Sequence, residues 1–129
     1  MTNLDIIKST YEGKTSEENG KNLANHVADN ISWTEAKGFP YAGTYIDLES
    51  VTINVFKRLG SEWIDYKFTP EDYIANEDNV VAYGTYSGTY KKTNKYFEAR
   101  VAHIWKLSNG KIISFEQFVD SKSVDEAIS

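Results

Sequence analysis

The sequence predicts an α+β fold: a conical, curved, mostly antiparallel sheet packed against about three N-terminal helices. Three observations carry this expectation. Apolar residues in the first half recur mainly at helical spacing. The second half holds long stretches rich in Val, Ile, Phe, Tyr and Trp, with strand-like alternation. An Asn-Gly pair, Asn109-Gly110, sits between the last two of these stretches and marks a hairpin turn. Helices followed by a run of antiparallel strands give helices packed on one sheet face.

Taken in order, Leu4, Ile7 and Tyr11 recur at helix spacing and predict the first helix. The second begins at Thr15, with Glu18 three residues on in a capping-box pattern and Leu23 and Val27 as a thin apolar stripe. His26 falls near its end, where it complements the helix dipole or faces water. The stretch ISWTEA (31–36) alternates as a short strand, and KGFPYAGTY (37–45) reads as a loop. Asp47 then caps a third helix whose Val51, Val55, Phe56 and Leu59 share one face, with Gly60 expected to end it. Pro70 bends, bulges or places at an edge the strand that follows. Three longer strands form a meander: NVVAYGTYSGTY, KYFEARVAHIWKL and KIISFEQFVD. The repeated Gly-Thr-Tyr in the first of these suggests close packing or a bulge. The expectation is one domain over residues 1–129, with a core of about 3–121 and a loosely held polar tail, 122–129.

Composition narrows the function classes. The 129 residues carry a net charge of −5, with no basic face for a phosphate backbone or an anionic membrane surface. There is no cysteine, which removes disulfides, thiolate nucleophiles and cysteine-held metals. Two histidines, His26 and His103, lie far apart without clustered carboxylates, so no metal site is expected. No phosphate-binding glycine loop and no nucleophile elbow is present. The N-terminus lacks an apolar run of signal-peptide length, no segment approaches a membrane span, and a cytoplasmic location is the default expectation. Nine Tyr, six Phe and three Trp supply apolar bodies with polar tips, which suits a partly wet cavity for a small molecule.

His103 lies in the middle of an apolar strand. Two hairpin registers are open. A two-residue type I′ turn pairs Ser108 with Lys111 and puts His103 opposite Glu116. A three-residue loop pairs Leu107 with Lys111 and puts His103 opposite Phe115. The second sorts the faces better. It groups Phe97, Ala99, Val101, His103 and Trp105 with Ile113, Phe115, Gln117 and Val119, leaving Glu98, Arg100, Lys106, Ser114, Glu116 and Asp120 on the other side. His103 and Gln117 are then diagonal neighbours on a mostly apolar face. They form either a hydrogen-bonded pair in the core or the polar points of a pocket floor.

The segments WTEAKGFPYAGTY (33–45) and HIWKLSNGKIISFEQFVD (103–120), with this element order, resemble the SnoaL-like branch of the nuclear-transport-factor-two-like superfamily over roughly residues 3–121. The resemblance implies a cystatin-like cone, a pocket between sheet and helices, and homodimers packed through the sheet. It implies polyketide cyclases, ketosteroid isomerases, dehydratases or pure ligand binders, with no metal or organic cofactor. In the cyclase-type members a strand histidine lines the pocket and a last-strand acid is the general base. These map onto His103 and Gln117. The glutamine is a departure, because an amide accepts no proton in the useful pH range.

The expected constellation is therefore His103 as acid or base and Gln117 orienting substrate. Glu35, or else Asp65, tunes the histidine. Trp33, Tyr41, Tyr83, Trp105 and Phe115 serve as walls. An enzyme of proton-transfer chemistry, a ligand-binding module and a dimerisation domain with a closed core all remain open at this level.

Overall fold

The computed structural model describes all 129 residues, Met1–Ser129. The chain runs α1 (Asn3–Tyr11), α2 (Ser16–His26), β1 (Val27–Glu35), β2 (Gly43–Tyr45) and α3 (Leu48–Val51). A π-helical turn (Thr52–Phe56) and α4 (Lys57–Glu62) follow. The chain then forms β3 (Trp63–Ala75), β4 (Asn79–Tyr90), β5 (Lys95–Ser108), β6 (Lys111–Val119) and α5 (Ser121–Ile128). One six-stranded sheet has the order β2-β1-β6-β5-β4-β3. All neighbours are antiparallel except β1 and β6, which run parallel.

The helix starts follow from local chemistry. Thr2 and Asp5 form a reciprocal capping box at α1, at 3.0 and 3.1 Å. At α2 only half of the expected box forms. The Thr15 hydroxyl accepts from the Glu18 N–H at 3.1 Å, but the Glu18 carboxylate reaches the N–H of Lys14 instead. Asp47 caps α3 through the Ser50 N–H at 2.7 Å. The third helical stretch does not stop at Gly60. It continues to Glu62, and the π turn inside it shifts the apolar face by one residue, so that Val51 and Val55 are buried while Phe56 turns partly outward.

The tail is a correction to the sequence reading. Residues 121–128 form α5, capped by Asp120, with Val124 and Ala127 buried against the sheet. Two small apolar residues at i, i+3 suffice to dock a two-turn helix, although they are lost in a polar composition.

The hairpin keeps the turn of the first expected register and the face of the second, with the exact pairing of neither. Ser108 pairs with Lys111 across a two-residue turn, with Asn109 and Gly110 at φ of 50° and 75°. A bulge at Ile113 then adds one residue to β6. Lys106 consequently faces Ser114, Trp105 faces Phe115, and His103 faces Gln117 directly. The predicted face survives because the tight turn and the bulge together restore the parity of the three-residue loop. Its one error is local: Ile112, not Ile113, is buried beside Leu107.

β3 is one of the two edge strands and is bulged twice, before Lys67 and after Pro70. Asp65 occupies the first bulge at φ 53°. At Gly84 any Cβ would run into the Thr69 carbonyl oxygen, so the close approach of β3 and β4 explains that glycine. The inner sheet face carries the core, including Trp33, Val80, Ala82, Tyr86, Phe97, Ala99, Trp105 and Phe115. Tyr83 lies at an outward position on β4, paired with Ala102 beside the exposed Phe118. No helix is long and apolar enough to cross a membrane.

Candidate functional site

Helices and inner sheet face enclose a cavity of about 710 Å³, within the usual range for small-molecule sites. Its walls are mainly aromatic: Trp33, Phe56, Phe68, Trp105 and Phe115, with Tyr11, Tyr66 and Tyr86. Trp33 stacks on Phe115 with centroids 3.9 Å apart, because β1 and β6 are in parallel register there. Phe56, turned by the π segment, meets Trp33 edge-on at 5.4 Å. Such aromatic pairs hold one another's geometry as well as burying area.

His103 is on this wall, 6 % exposed. Both ring nitrogens are occupied: Nδ1 lies 2.6 Å from the Tyr11 hydroxyl and Nε2 lies 2.6 Å from the Tyr86 hydroxyl. The network extends at both ends. Trp105 Nε1 donates to the Tyr11 oxygen at 2.7 Å, and Gln117 Nε2 donates to the Tyr86 oxygen at 2.8 Å. Gln117, 1 % exposed, also accepts the Ala36 N–H on Oε1 at 3.0 Å. It is a strut joining β6, β4 and the end of β1. Burial drives the His103 pKa down to about 3, so the ring is neutral at physiological pH.

Counting hydrogens in this network has a chemical consequence. A neutral imidazole has one N–H and one bare nitrogen. One tyrosine therefore donates into the ring and the other accepts from it. The accepting hydroxyl keeps its own hydrogen unspent. In either tautomer one O–H, on Tyr11 or Tyr86, is left to find an acceptor, and both tyrosines line the cavity.

Glu35 is the opposite case. It follows Ile31 and Trp33 on the inward face of β1 and is 4 % exposed, yet no hydroxyl, amide or cation bonds its carboxyl. Burial raises its pKa to about 8. The Trp33 indole opposes that shift but stops short of hydrogen-bond geometry, and its Nε1 has no partner. The Tyr66 hydroxyl is likewise buried and unpartnered. After burial itself, the charge of Glu35 is among the causes that lift the pKa values of Tyr66 and Tyr86, which places all three in one corner.

Of the residues expected from sequence, His103, Glu35, Trp33, Trp105 and Phe115 come together around the cavity, with Gln117 behind Tyr86. Three do not join them. Asp65 is exposed in the edge bulge, and Tyr83 points away on β4. Tyr41 is buried elsewhere, donating to Glu62 at 2.7 Å and accepting from Trp63 at 3.0 Å. No carboxylate touches His103, so Glu35 does not tune it. Sequence reasoning missed Tyr11, Tyr66, Phe68 and Tyr86. The signal for Tyr86 was its parity with Val80, Ala82 and Gly84, the small inward residues of β4. No group of three or more potential metal ligands is gathered anywhere in the chain.

The fold is thus a curved sheet with a helix-covered, partly aromatic cavity and a polar inner corner. The family model described as SnoaL-like domain matches residues 11–115, and the chain belongs to that family. It is similar over 100 % of its length, and 98 % of the other chain, to an NTF2-like protein from Burkholderia thailandensis, at 40 % identity and TM-score 0.94. It shares its fold with a SnoaL-like polyketide cyclase, so described, from Jannaschia sp. (TM-score 0.80, 15 % identity, covering 98 % and 91 %). It also shares the fold of a protein from Catenulispora acidiphila, described as having a ketosteroid isomerase-like fold and solved in complex with trimethylamine (TM-score 0.76, 15 % identity, covering 98 % and 93 %). No curated protein matches the chain.

Proposed function

We propose that the protein binds a small, flat, carbonyl-bearing molecule in the aromatic cavity and moves a proton on it, with Glu35 as the acid/base. The observation that carries this reading is the Glu35 carboxyl, held in an apolar cavity wall with its oxygens reaching the cavity and no cation beside it. A carboxyl that is largely desolvated costs stability, and its place in the cavity wall points to a partner supplied by the ligand. A pKa near 8 suits proton transfer around neutrality. The unspent donors complete the site. Trp33 Nε1–H, Tyr66 O–H and the leftover hydroxyl hydrogen of the His103 network favour an acceptor oxygen, such as the carbonyl of a carbon acid and the enolate it becomes. In this role Glu35 takes a proton from the carbon beside the carbonyl and returns it to the same molecule. His103 stays neutral and positions the two tyrosines. The cyclase description of one fold relative is of the same chemical kind.

The test uses 2-tetralone in heavy water, following deuterium entry beside the carbonyl by proton NMR. Wild type accelerates exchange, with a rate that climbs with pH to a plateau above about 8, and Glu35→Gln does not. Equal exchange by the two proteins removes Glu35 from the chemistry. Binding without any exchange by wild type leaves the ligand-binding reading, which the fully bonded state of His103 favours. As for assembly, the half-exposed Phe118 beside Ala102 and Tyr83 makes the outer sheet face the proposed contact for a second copy, to be read by sedimentation of wild type against Phe118→Glu.

A further inference from the structure

The chain has eight glycines, and six have a local reason. Gly38, Gly43 and Gly110 adopt positive φ. Gly84 and Gly88 lie against the β3 backbone, and a Cβ at Gly13 would meet the Asn19 side chain at 2.5 Å. Gly20 and Gly60 have none of these. Both sit inside helices, α2 and α4, where glycine is less stable than alanine. Both have open space where a Cβ would go. Both are exposed, and both line the cavity. An exposed residue on a cavity wall is at its mouth. Gly20 and Gly60 therefore stand at the mouth, on α2 and α4, together with the exposed Lys14, Thr15, Ser16, Phe56 and Lys67.

We propose that Gly20 and Gly60 form the portal of the cavity and select ligands with an aromatic head and a slender arm that leaves the protein between α2 and α4. This rests on the cavity being a ligand site, as argued above, and adds the shape of what it takes. The head lies among Trp33, Trp105 and Phe115, next to Glu35. The arm passes over bare backbone at the two glycines, where any side chain would narrow the gap. Helix stability is given up at both glycines, and neither turn geometry nor packing accounts for either.

The experiment measures quenching of tryptophan fluorescence by two probes sharing one head, 2-naphthol and 2-naphthol carrying a tri(ethylene glycol) arm. Wild type is expected to bind both. In Gly20→Leu/Gly60→Leu the armed probe should lose about tenfold or more in affinity, while 2-naphthol stays within about threefold. Gly20→Ala/Gly60→Ala is expected to melt higher than wild type, since alanine suits a helix interior and meets no atom. An unchanged affinity for the armed probe in the leucine variant overturns the portal. So does equal loss of both probes with the circular dichroism spectrum intact, wild-type binding of 2-naphthol alone, or a lower melting temperature of the alanine variant. Failure of wild type to bind either probe overturns the cavity reading together with the portal.

Discussion

The cavity holds two buried titratable groups in contrasting states. His103 has a partner on each nitrogen, and each partner is itself held, by Trp105 on one side and Gln117 on the other. Glu35 has none. Burial pushes both toward their neutral forms, His103 down to about 3 and Glu35 up to about 8. The first value takes the histidine out of service as a base near neutrality, whereas the second brings the carboxyl into range. Burial alone thus does not mark a catalytic group. What separates the two corners is whether the protein has already satisfied the buried group.

This contrast can be broken most forcefully at Glu35. Glu35→Gln should lower the rate of proton exchange on 2-tetralone by about 10²–10⁴-fold while raising stability at pH 7, since the amide resembles the protonated acid but has no proton to release on unfolding. Deuterium incorporation and a urea melt on the same sample read both quantities. His103→Ala should show the reverse balance. It takes one hydrogen-bond partner from each of two tyrosine hydroxyls and opens a cavity, at a cost of about 3 kcal/mol by denaturant titration. A variant with near wild-type stability would show that the network is not structural. Tyr86→Phe removes one oxygen that bonds both His103 and Gln117, for about 2 kcal/mol, and Tyr11→Phe a similar or smaller amount.

The sharpest comparison is the pH dependence of stability. The folded pKa of His103 lies below its unfolded value, so the unfolded chain binds the extra proton between about 3 and 6.5, and stability rises with pH there. The folded pKa of Glu35 lies above its unfolded value. The folded chain holds the extra proton between about 4.5 and 8, and stability falls as pH rises through that window. Each contributes a slope of at most about 1.4 kcal/mol per pH unit. Where the windows overlap the slopes oppose each other. The profile should climb to about pH 4.5, flatten to about 6.5, and decline to about 8. Below pH 4.5 the capping carboxylates Asp5, Asp47 and Asp120, lowered chiefly by hydrogen bonds to the helix starts, steepen the climb. In Glu35→Gln the decline above 6.5 should vanish, and chemical denaturation across the pH range measures it.

Much of this arrangement was legible in the sequence. Helical spacing and caps located α1, α2 and the start of α3, and alternation located the long strands. The shared face of His103 and Gln117 followed from segregating polar and apolar residues across the hairpin. The actual pairing did not, because a tight turn and a bulge change register in compensating steps, and parity arguments see only their sum. Glu35 was visible as an inward residue after Ile31 and Trp33, but it was read as a tuner of His103. Nothing local announces that both histidine nitrogens are taken by tyrosines 92 and 17 positions away. Asp65 was misplaced because the bulge that holds it at positive φ also directs it to solvent, while Tyr66 lines the cavity. Tyr83 was preferred over Tyr86 because alternation fixes which residues share a face, not which face is covered by helices.

The most direct test of the contrast is the ionisation of Glu35 itself. Carbon-13 labelling of glutamate side-chain carboxyls, with the Glu35 resonance assigned by its loss in Glu35→Gln, gives its titration by NMR. The account predicts a carboxyl that is protonated at pH 6 and titrates near pH 8. A Glu35 resonance already ionised at pH 6 would contradict it.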